Sequence, residues 1–381
     1  MKQNTILYKI IENKTIAWFE NNNKYVVFEN TTADILKKIQ KGVPTIEIAT
    51  SLSRKLSVPV EKSIDFIQTL ENQIKKIKEI KKAKETESIR DEIAIENSRN
   101  YQYIKYYKIN NTIIRIAYLS ELELSYVHPK FNHLTVEEAN EIDYSFEVFI
   151  NNNYIFLDVN NAFIGSWSNK NIHYFQGKLS MEIIQKIHQK EEDEWLGVFH
   201  ASAVSNKKKS ILFLGDSGNG KSTSLALLQS NGFTCLADDF VPVSAKNRQI
   251  YSFPAAISIK KNSLKTLLPI YPDLANSAEY HFKRLNKIVR FLKPNNKNYN
   301  QHLPCNELIF IKYEEDSKLI FQEMSKLKAF EKLVPDSWLS PIKENATAFL
   351  NWFDTLKCYE LKYSDNTNMI ETVNNLFENE L

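Results

Sequence analysis

Nine consecutive residues of this chain have the types and spacing needed to hold the phosphates of a nucleotide. They match the pattern G-x-x-x-x-G-K-[ST], in which glycines turn backbone N–H groups toward phosphate. Lys221 would reach the β- and γ-phosphates, and the Ser222 hydroxyl would bind Mg²⁺. The motif therefore predicts an ATP and Mg²⁺ site formed by Gly215, Asp216, Ser217, Gly218, Asn219, Gly220, Lys221, Ser222 and Thr223.

The segments on either side of this loop have the character that such a site requires. The apolar run SILFLG before it is typical of a buried strand, and STSLALLQS after it is typical of a helix. A helix that begins near Ser222 would direct the positive end of its dipole at the bound phosphates. The chain has only eight glycines, and three of them fall within this loop, so a chance match is improbable.

Two carboxylates and one histidine are candidate partners of the loop. The segment FTCLADD is a predicted strand that ends in Asp238 and Asp239, where a carboxylate can bind Mg²⁺ or act as a base. The alternative is that one of the two only caps a turn. His200 ends the predicted strand EWLGVFH, immediately before the phosphate-loop strand. A single histidine is usually structural, but this position makes His200 a catalytic candidate.

The order of His200, GDSGNGKS and GFTCLADDFV resembles the HPr kinase/phosphorylase group, over roughly residues 195–260. The resemblance implies an α/β P-loop kinase core. It further implies that Asp239 accepts the proton of the phosphorylated hydroxyl, with His200 and Lys221 as its partners. Ser222 would bind Mg²⁺, and Asp238 would be a supporting or metal-linked carboxylate.

The chain also departs from the regulatory members of that group. Thr223 stands where the bacterial enzymes commonly carry glutamate, and neither their downstream metal-binding glutamate nor their C-terminal signature is found. The segment YSFPAAISIK (251–260) is instead similar to divergent HPr-kinase-like proteins associated with modified-peptide biosynthesis. Because of these differences, the sequence does not decide whether HPr is the substrate or whether the reverse phosphorylase reaction occurs.

The first 75 residues form a separate pattern of short strands followed by three helices. This pattern resembles the PqqD-type peptide-recognition domain, a small α+β winged-helix-like module. The resemblance implies that a leader peptide adds as a strand beside the hairpin, against the third helix. In KYVVFE (24–29), side chains alternate, so only one of the pairs Tyr25/Val27 and Val26/Phe28 can line an external groove. A DNA-binding winged helix is the alternative, but the second and third helices have mixed charge.

The chain is thus predicted to consist of a recognition domain (1–75), a charged linker (76–100) and a catalytic domain (101–381). The Lys/Glu-rich linker is expected to be a solvated helix with few contacts joining the two domains, so that each could fold alone. The catalytic domain is expected to begin with a β-rich part from Tyr101. Further on, NELIFIKYE is a predicted strand and AFLNWFDTLKCYEL a predicted helix. In the basic segment 281–294, Arg284 or Arg290 could contact ATP or the acceptor, although a solvated basic helix face is the commoner explanation.

Composition excludes several classes of protein. A net charge of +3 does not predict nucleic-acid binding, and no run of about 18 apolar residues predicts a membrane span. Three widely spaced cysteines do not suggest a disulfide framework or a zinc cluster. The N-terminus lacks the pattern of a signal peptide, so a cytoplasmic protein is expected. A homo-oligomer is possible.

Together these features predict a leader-guided kinase that phosphorylates a hydroxyl, taken to be that of serine, on a ribosomally made precursor peptide. One alternative is an ATPase that energises a partner enzyme's peptide modification. The other is a non-catalytic adaptor that binds peptide and nucleotide, although such an adaptor would not need the lysine, the serine and both aspartates.

Overall fold

The computed structural model describes residues 5–78, 99–282 and 287–378, and within these ranges the chain is a mixed α/β protein with several sheets. The N-terminal part is a three-stranded antiparallel sheet in the order β1-β2-β3, covered on one face by three helices. Its elements are β1 (Ile6–Ile11), β2 (Lys14–Phe19), β3 (Lys24–Glu29), α1 (Asn30–Gln40), α2 (Thr45–Leu56) and α3 (Val60–Lys78). α3 continues past residue 75, and residues 79–98 of the predicted linker lie outside the described ranges.

The β-rich part that follows is a six-stranded sheet in the order β6-β4-β5-β7-β8-β9, with two helices packed against it. Asn152 and Asn153, and likewise Asn160 and Asn161, form the two-residue hairpin turns and have positive φ angles, which asparagine tolerates. The elements are β4 (Tyr103–Ile109), β5 (Thr112–Tyr118), α4 (Glu121–Phe131), β6 (Thr135–Val136), β7 (Tyr144–Asn151), β8 (Tyr154–Val159), β9 (Ala162–Ser168) and α5 (Ile172–His188).

The remaining elements form the large central sheet and the hairpins around it. The strands are β10 (Trp195–Phe199), β11 (Ser202–Ser205), β12 (Ser210–Leu214), β13 (Thr234–Asp238), β14 (Val241–Ser244), β15 (Gln249–Tyr251), β16 (Ile257–Lys260), β17 (Tyr280–Phe282), β18 (Lys287–Leu292), β19 (His302–Tyr313), β20 (Ile320–Glu323), β21 (Ser337–Leu339) and β22 (Lys357–Tyr363). The helices are α6 (Lys221–Ser230), α7 (Leu264–Leu267), α8 (Lys326–Leu333), α9 (Lys343–Thr355) and α10 (Asn366–Glu378).

The strand directions in this sheet bring the candidate residues to one edge. β12 runs parallel to β19, which runs parallel to β22, while β11 lies antiparallel between β12 and β13. β12 and β13 therefore point the same way, and their carboxyl ends, at Leu214 and Asp238, meet at one edge of the sheet. The turn between β10 and β11, which contains His200, opens at the same edge because Ser202 pairs with both Phe213 and Asp238.

The two faces of the central sheet are buried by different elements. Phe213, Ile309 and other residues of one face pack with α6 and α10, whereas Leu214 and Phe310 belong to the larger core on the other face. Such alternation along β12 and β19 explains their continuous apolar sequence, because both faces are covered.

The N-terminal sheet does not stand apart from residues 101–381, which were predicted to be catalytic and are called the catalytic part below. This differs from the expectation that few contacts join the two. The Tyr25 ring lies 5.9 Å from that of Phe330 in α8 and 5.5 Å from that of Phe349 in α9, measured between ring centroids. The Lys9 ammonium is 3.0 Å from an Asp354 carboxylate oxygen. Tyr25 and Val27 thus face the catalytic part, while Val26 and Phe28 pack against the module's own core, so neither pair lines an external groove.

Two sequence-based interpretations need correction: one predicted helix is a helix only in its first part, and the basic segment is not a helix face. In AFLNWFDTLKCYEL, α9 ends at Thr355 because Leu356 is extended, and residues 357–363 form β22 beside β19. The basic segment 281–294 contributes to the strands β17 and β18 rather than to a helix. In β18, Val289 is buried and the strand pairs with β16, so tertiary packing has overridden the basic composition. No helix in the described ranges is both long and apolar enough to cross a membrane.

Candidate active site

The phosphate loop leaves β12 and enters α6 through backbone angles that require glycine at two points. Gly215 has a φ of +138°, and a Cβ there would lie 2.8 Å from the carbonyl oxygen of Ile311. Gly220, with a φ of +98°, caps α6, whose first residue is Lys221. The loop is further fixed to the end of β19, because the Tyr313 N–H donates to the Asn219 carbonyl at 3.0 Å. The predicted strand–loop–helix unit is confirmed.

Lys221 lies folded back inside the loop. Only 6% of its surface is exposed, and its Nζ donates to the Gly215 carbonyl at 2.5 Å and to that of Asp216 at 3.4 Å. Burial lowers the pKa of Lys221, and the charges of nearby carboxylates, with Asp239 first and Asp238 second, oppose that shift. The ammonium therefore occupies the concave side of the loop, where it can meet the terminal phosphates.

Asp238 is a buried carboxylate that faces the first turn of α6. It is 2% exposed and accepts hydrogen bonds from the Ser202 Oγ at 2.6 Å, the Ser258 N–H at 3.1 Å and the Ser222 Oγ at 2.9 Å. Burial raises the pKa of Asp238 from 3.8 to about 6, and the neighbouring charge of Asp239 adds to the rise, while these three donors oppose it.

The Ser222–Asp238 pair fits the protein share of a Mg²⁺ site. Mg²⁺ prefers oxygen ligands and in nucleotide sites takes few of them from the protein, the rest being water and phosphate. A serine hydroxyl already directed at an inward-facing carboxylate matches that donor set. Among the described residues, no group of three or more His, Cys, Asp or Glu side chains could hold a metal without phosphate.

Asp239 and His200 line the same cavity as Lys221. This cavity has a volume of about 130 Å³, and Asp239, His200, Ser222, Thr223 and Lys221 all contribute to its lining. The Asp239 Oδ1 is 3.9 Å from the Nδ1 of His200, which also contacts the Asp239 carbonyl at 3.3 Å. Asp239 has a φ of +64°, a left-handed backbone conformation that aspartate and asparagine adopt more readily than other residues with a Cβ.

The structure adds residues that the motifs did not reveal. Lys260, at the end of β16, lines the same cavity, and its Nζ donates to the Ser217 Oγ at 2.8 Å. Ser202 and Ser258 hold Asp238 in place. The segment ISIK could have predicted that Lys260 lies at a sheet edge, because it is a lysine at the end of an apolar strand. No sequence spacing predicts that this strand lies beside the phosphate loop.

Thr223 and Arg290 make contacts that the sequence analysis did not anticipate, although Thr223 lines the phosphate cavity. The Thr223 hydroxyl, in the phosphate loop, is 2.6 Å from the Ser263 Oγ. The Arg290 guanidinium donates to the carbonyls of Leu274 and Ala275 and is 3.7 Å from a Glu279 carboxylate oxygen, so it binds a neighbouring loop. Arg290 is not among the residues that line the phosphate cavity in the described part of the chain. Arg284 lies outside the described residues.

Comparison with known proteins neither identifies a family for this chain nor tests the roles of the residues described above. No protein-family model matches the chain, and no curated protein does so. Among solved structures, the Hpr(Ser) kinase/phosphatase from Coxiella burnetii aligns with 47% of this chain and 95% of its own, at 10% identity and a TM-score of 0.23. Similarity at this level carries no functional argument. None of these comparisons bears on the N-terminal module, so its peptide-recognition role stays a prediction.

Proposed function

We propose that this chain is an ATP-dependent kinase with an HPr-kinase-type P-loop core, which phosphorylates a serine hydroxyl of a ribosomally made precursor peptide. The observation that carries the proposal is that one cavity is lined by Lys221, Ser222, Asp239 and His200. Hydroxyl phosphorylation requires phosphate-binding groups and a general base within reach of the same space, and this cavity brings both together.

In the proposed reaction, the acceptor oxygen attacks the γ-phosphorus of ATP and forms the new P–O bond. The bond between the γ-phosphorus and the bridging β-oxygen breaks, and ADP leaves. The hydroxyl proton passes to the Asp239 carboxylate, which His200 orients through its contact with Oδ1. Lys221 and the loop amides stabilise the charge on the transferred group, and Mg²⁺ held by Ser222 and Asp238 would neutralise charge on the phosphates.

The peptide part of the proposal rests on the N-terminal module. β1 and β3 are the edge strands of its sheet within the described residues, so either edge offers backbone groups to an added strand. Because the side chains on both faces of β3 pack inward, affinity would come from backbone hydrogen bonds at an edge. We place the reaction in the cytoplasm, which is supported by three buried free thiols, Cys235, Cys305 and Cys358.

The test follows the γ-phosphate label of ATP in the presence of Mg²⁺ and a panel of synthetic serine peptides. Label on peptide supports a kinase, whereas label released only as inorganic phosphate supports the ATPase alternative. No turnover at all supports the adaptor. Lys221→Ala should abolish turnover without unfolding the chain, and wild-type turnover in that variant would contradict the whole site.

A further inference from the structure

A second cavity adjoins the phosphate cavity on the other side of His200. It has a volume of about 260 Å³, and its lining residues come from the start of the phosphate loop, from β19 and from the segment that joins α8 to β21. Leu214, Phe310 and Leu333 are almost fully buried and form an apolar part of its wall. His200 contributes to both cavities, so the two spaces meet at a proposed catalytic residue.

The second cavity lies at the γ-phosphate end of the loop. Lys221 reaches the β- and γ-phosphates in such sites, and here its Nζ contacts the carbonyls of Gly215 and Asp216. Gly215 and Asp216 also line the second cavity. The charge of Asp336, from the far wall, acts on the Lys221 ammonium as well. A group held in this space would therefore lie beside the phosphorus that is transferred.

The charges around this cavity decide what kind of group it can hold. Asp216, Glu331 and Asp336 supply three carboxylates, against the ammonium of Lys332 in the lining and that of Lys221, which contacts the Gly215 and Asp216 carbonyls. Such a field repels the polyphosphate or the ribose phosphates of a second nucleotide and attracts a cation. The apolar wall suits the aliphatic stem of a lysine or arginine side chain, whose charged head would remain among the carboxylates at the rim.

We propose that this cavity is the acceptor subsite and that it binds a lysine or arginine side chain next to the phosphorylated serine. The proposal rests on the kinase function proposed above, since it identifies the acceptor of that same reaction. A basic flanking residue held here would position the serine hydroxyl between the γ-phosphate and Asp239.

The experiment uses the full chain and two synthetic peptides of equal length, in which one serine is flanked by lysines or by glutamates. We expect the wild type to have a KM for the lysine peptide lower by about five- to tenfold, as one or two partly exposed charge pairs would give. In Glu331→Gln/Asp336→Asn the preference should fall to about twofold. Both residues are exposed, so their loss should not impair folding.

A matched control removes two carboxylates elsewhere. Glu344→Gln/Glu371→Gln changes the net charge equally on α9 and α10 and should keep the full preference. An undiminished preference in Glu331→Gln/Asp336→Asn would overturn the subsite.

A binding readout keeps the two proposals distinguishable. Fluorescence anisotropy of the two peptides, measured with a non-hydrolysable ATP analogue and Mg²⁺, reports the subsite without turnover. If neither peptide is ever phosphorylated but the lysine peptide binds better to the wild type than to Glu331→Gln/Asp336→Asn, the kinase function fails and the cavity assignment stands. Equal binding of both peptides to the wild type would reject the cavity assignment.

Discussion

At the scale of single residues, Asp239 is the carboxylate that we propose as the general base. Its left-handed φ places it beside His200, and aspartate and asparagine adopt this conformation more readily than other residues with a Cβ. We expect Asp239→Asn to lower the transfer rate by about 10²–10⁴-fold, the usual contribution of a general base. Asparagine tolerates the same φ, so the fold should be unaffected.

Single-turnover rates at saturating ATP measure this loss, and nucleotide affinity should change little because Lys221 and the loop remain. Asp238→Asn is the comparison, and its defect should respond to the Mg²⁺ concentration because Asp238 accepts from Ser222. A greater loss of rate in Asp238→Asn at saturating Mg²⁺ would reverse the two roles.

The buried carboxylate of Asp238 should make the nucleotide-free protein sensitive to pH. Its pKa is raised to about 6 in the folded state, so the folded chain holds this proton more tightly than the unfolded chain. The resulting stability is fully present below about pH 4 and is lost as the pH rises through about 6, by roughly 2–3 kcal/mol. Asp238→Asn removes the titration. Urea unfolding in EDTA should therefore show that the free energy of unfolding of the variant rises relative to that of the wild type between pH 4.5 and 7.5. A difference between the two that does not change with pH would contradict this prediction.

Lys260 gives a third prediction at this scale, because it lines the phosphate cavity together with Lys221. We expect Lys260→Ala to raise the KM for ATP or lower kcat, with kcat/KM reduced by about 10–100-fold, since a cation facing the phosphates would be lost. Lys260→Arg keeps the charge and should retain most activity. The adjacent exposed Lys261 is the matched control. An equal loss of kcat/KM in Lys261→Ala would mean that positive charge in this region, and not the position of Lys260 in the cavity, accounts for the effect.

At the scale of elements, α8 joins the N-terminal module to the candidate site. Its first residue donates a backbone N–H to Glu12, Phe330 in its middle contacts Tyr25, and Glu331 to Leu333 at its end line the acceptor cavity. The position of this short helix thus depends on the N-terminal sheet. The N-terminal module therefore helps to hold one wall of the proposed acceptor cavity in position.

Tyr25 allows the aromatic contact to be separated from the hydroxyl. The hydroxyl is buried without a hydrogen-bond partner among the described residues, so Tyr25→Phe should be neutral or stabilising by up to about 1 kcal/mol. Tyr25→Ala should cost about 2–4 kcal/mol, because the cavity would lie between Phe330 and Phe349. Thermal unfolding of both variants measures the difference, and equal losses in the two would mean that the hydroxyl, and not the ring, matters.

The elements that could be predicted from sequence are those with strong local signals. SILFLG, the glycines and STSLALLQS specify a strand, a loop and a helix by themselves, and the Asn pairs specify hairpins. KCYELKY forms β22 because it pairs with β19. No local pattern in the segment predicts this pairing. Lys260 reaches the loop only through the β16–β18 pairing and the packing of β16 against α6, so its role depended on tertiary structure.

At the scale of the whole molecule, the contacts around Tyr25 argue against two independent domains. Residues 101–381 alone would expose the faces of Phe330 and Phe349 and lose the Lys9–Asp354 ion pair. We therefore expect this fragment to unfold about 5–10 °C below the full chain, because a few kcal/mol of apolar contact is lost. Adding residues 1–78 as a separate chain should restore part of the loss. Unfolding of the fragment at the temperature of the full chain would indicate that the interface contributes nothing.

The docking of the N-terminal sheet on α8 and α9 also has an evolutionary consequence. One face of the sheet packs against the catalytic part and the other against its own helices, so neither face can change freely. In the recognition role that we propose for the module, specificity for a leader would have to diversify through the strand edges and the outward surfaces of α2 and α3, where Ile46 and Phe66 are exposed. Related chains that act on different leaders should accordingly differ on those surfaces, whereas the Tyr25 face should change slowly.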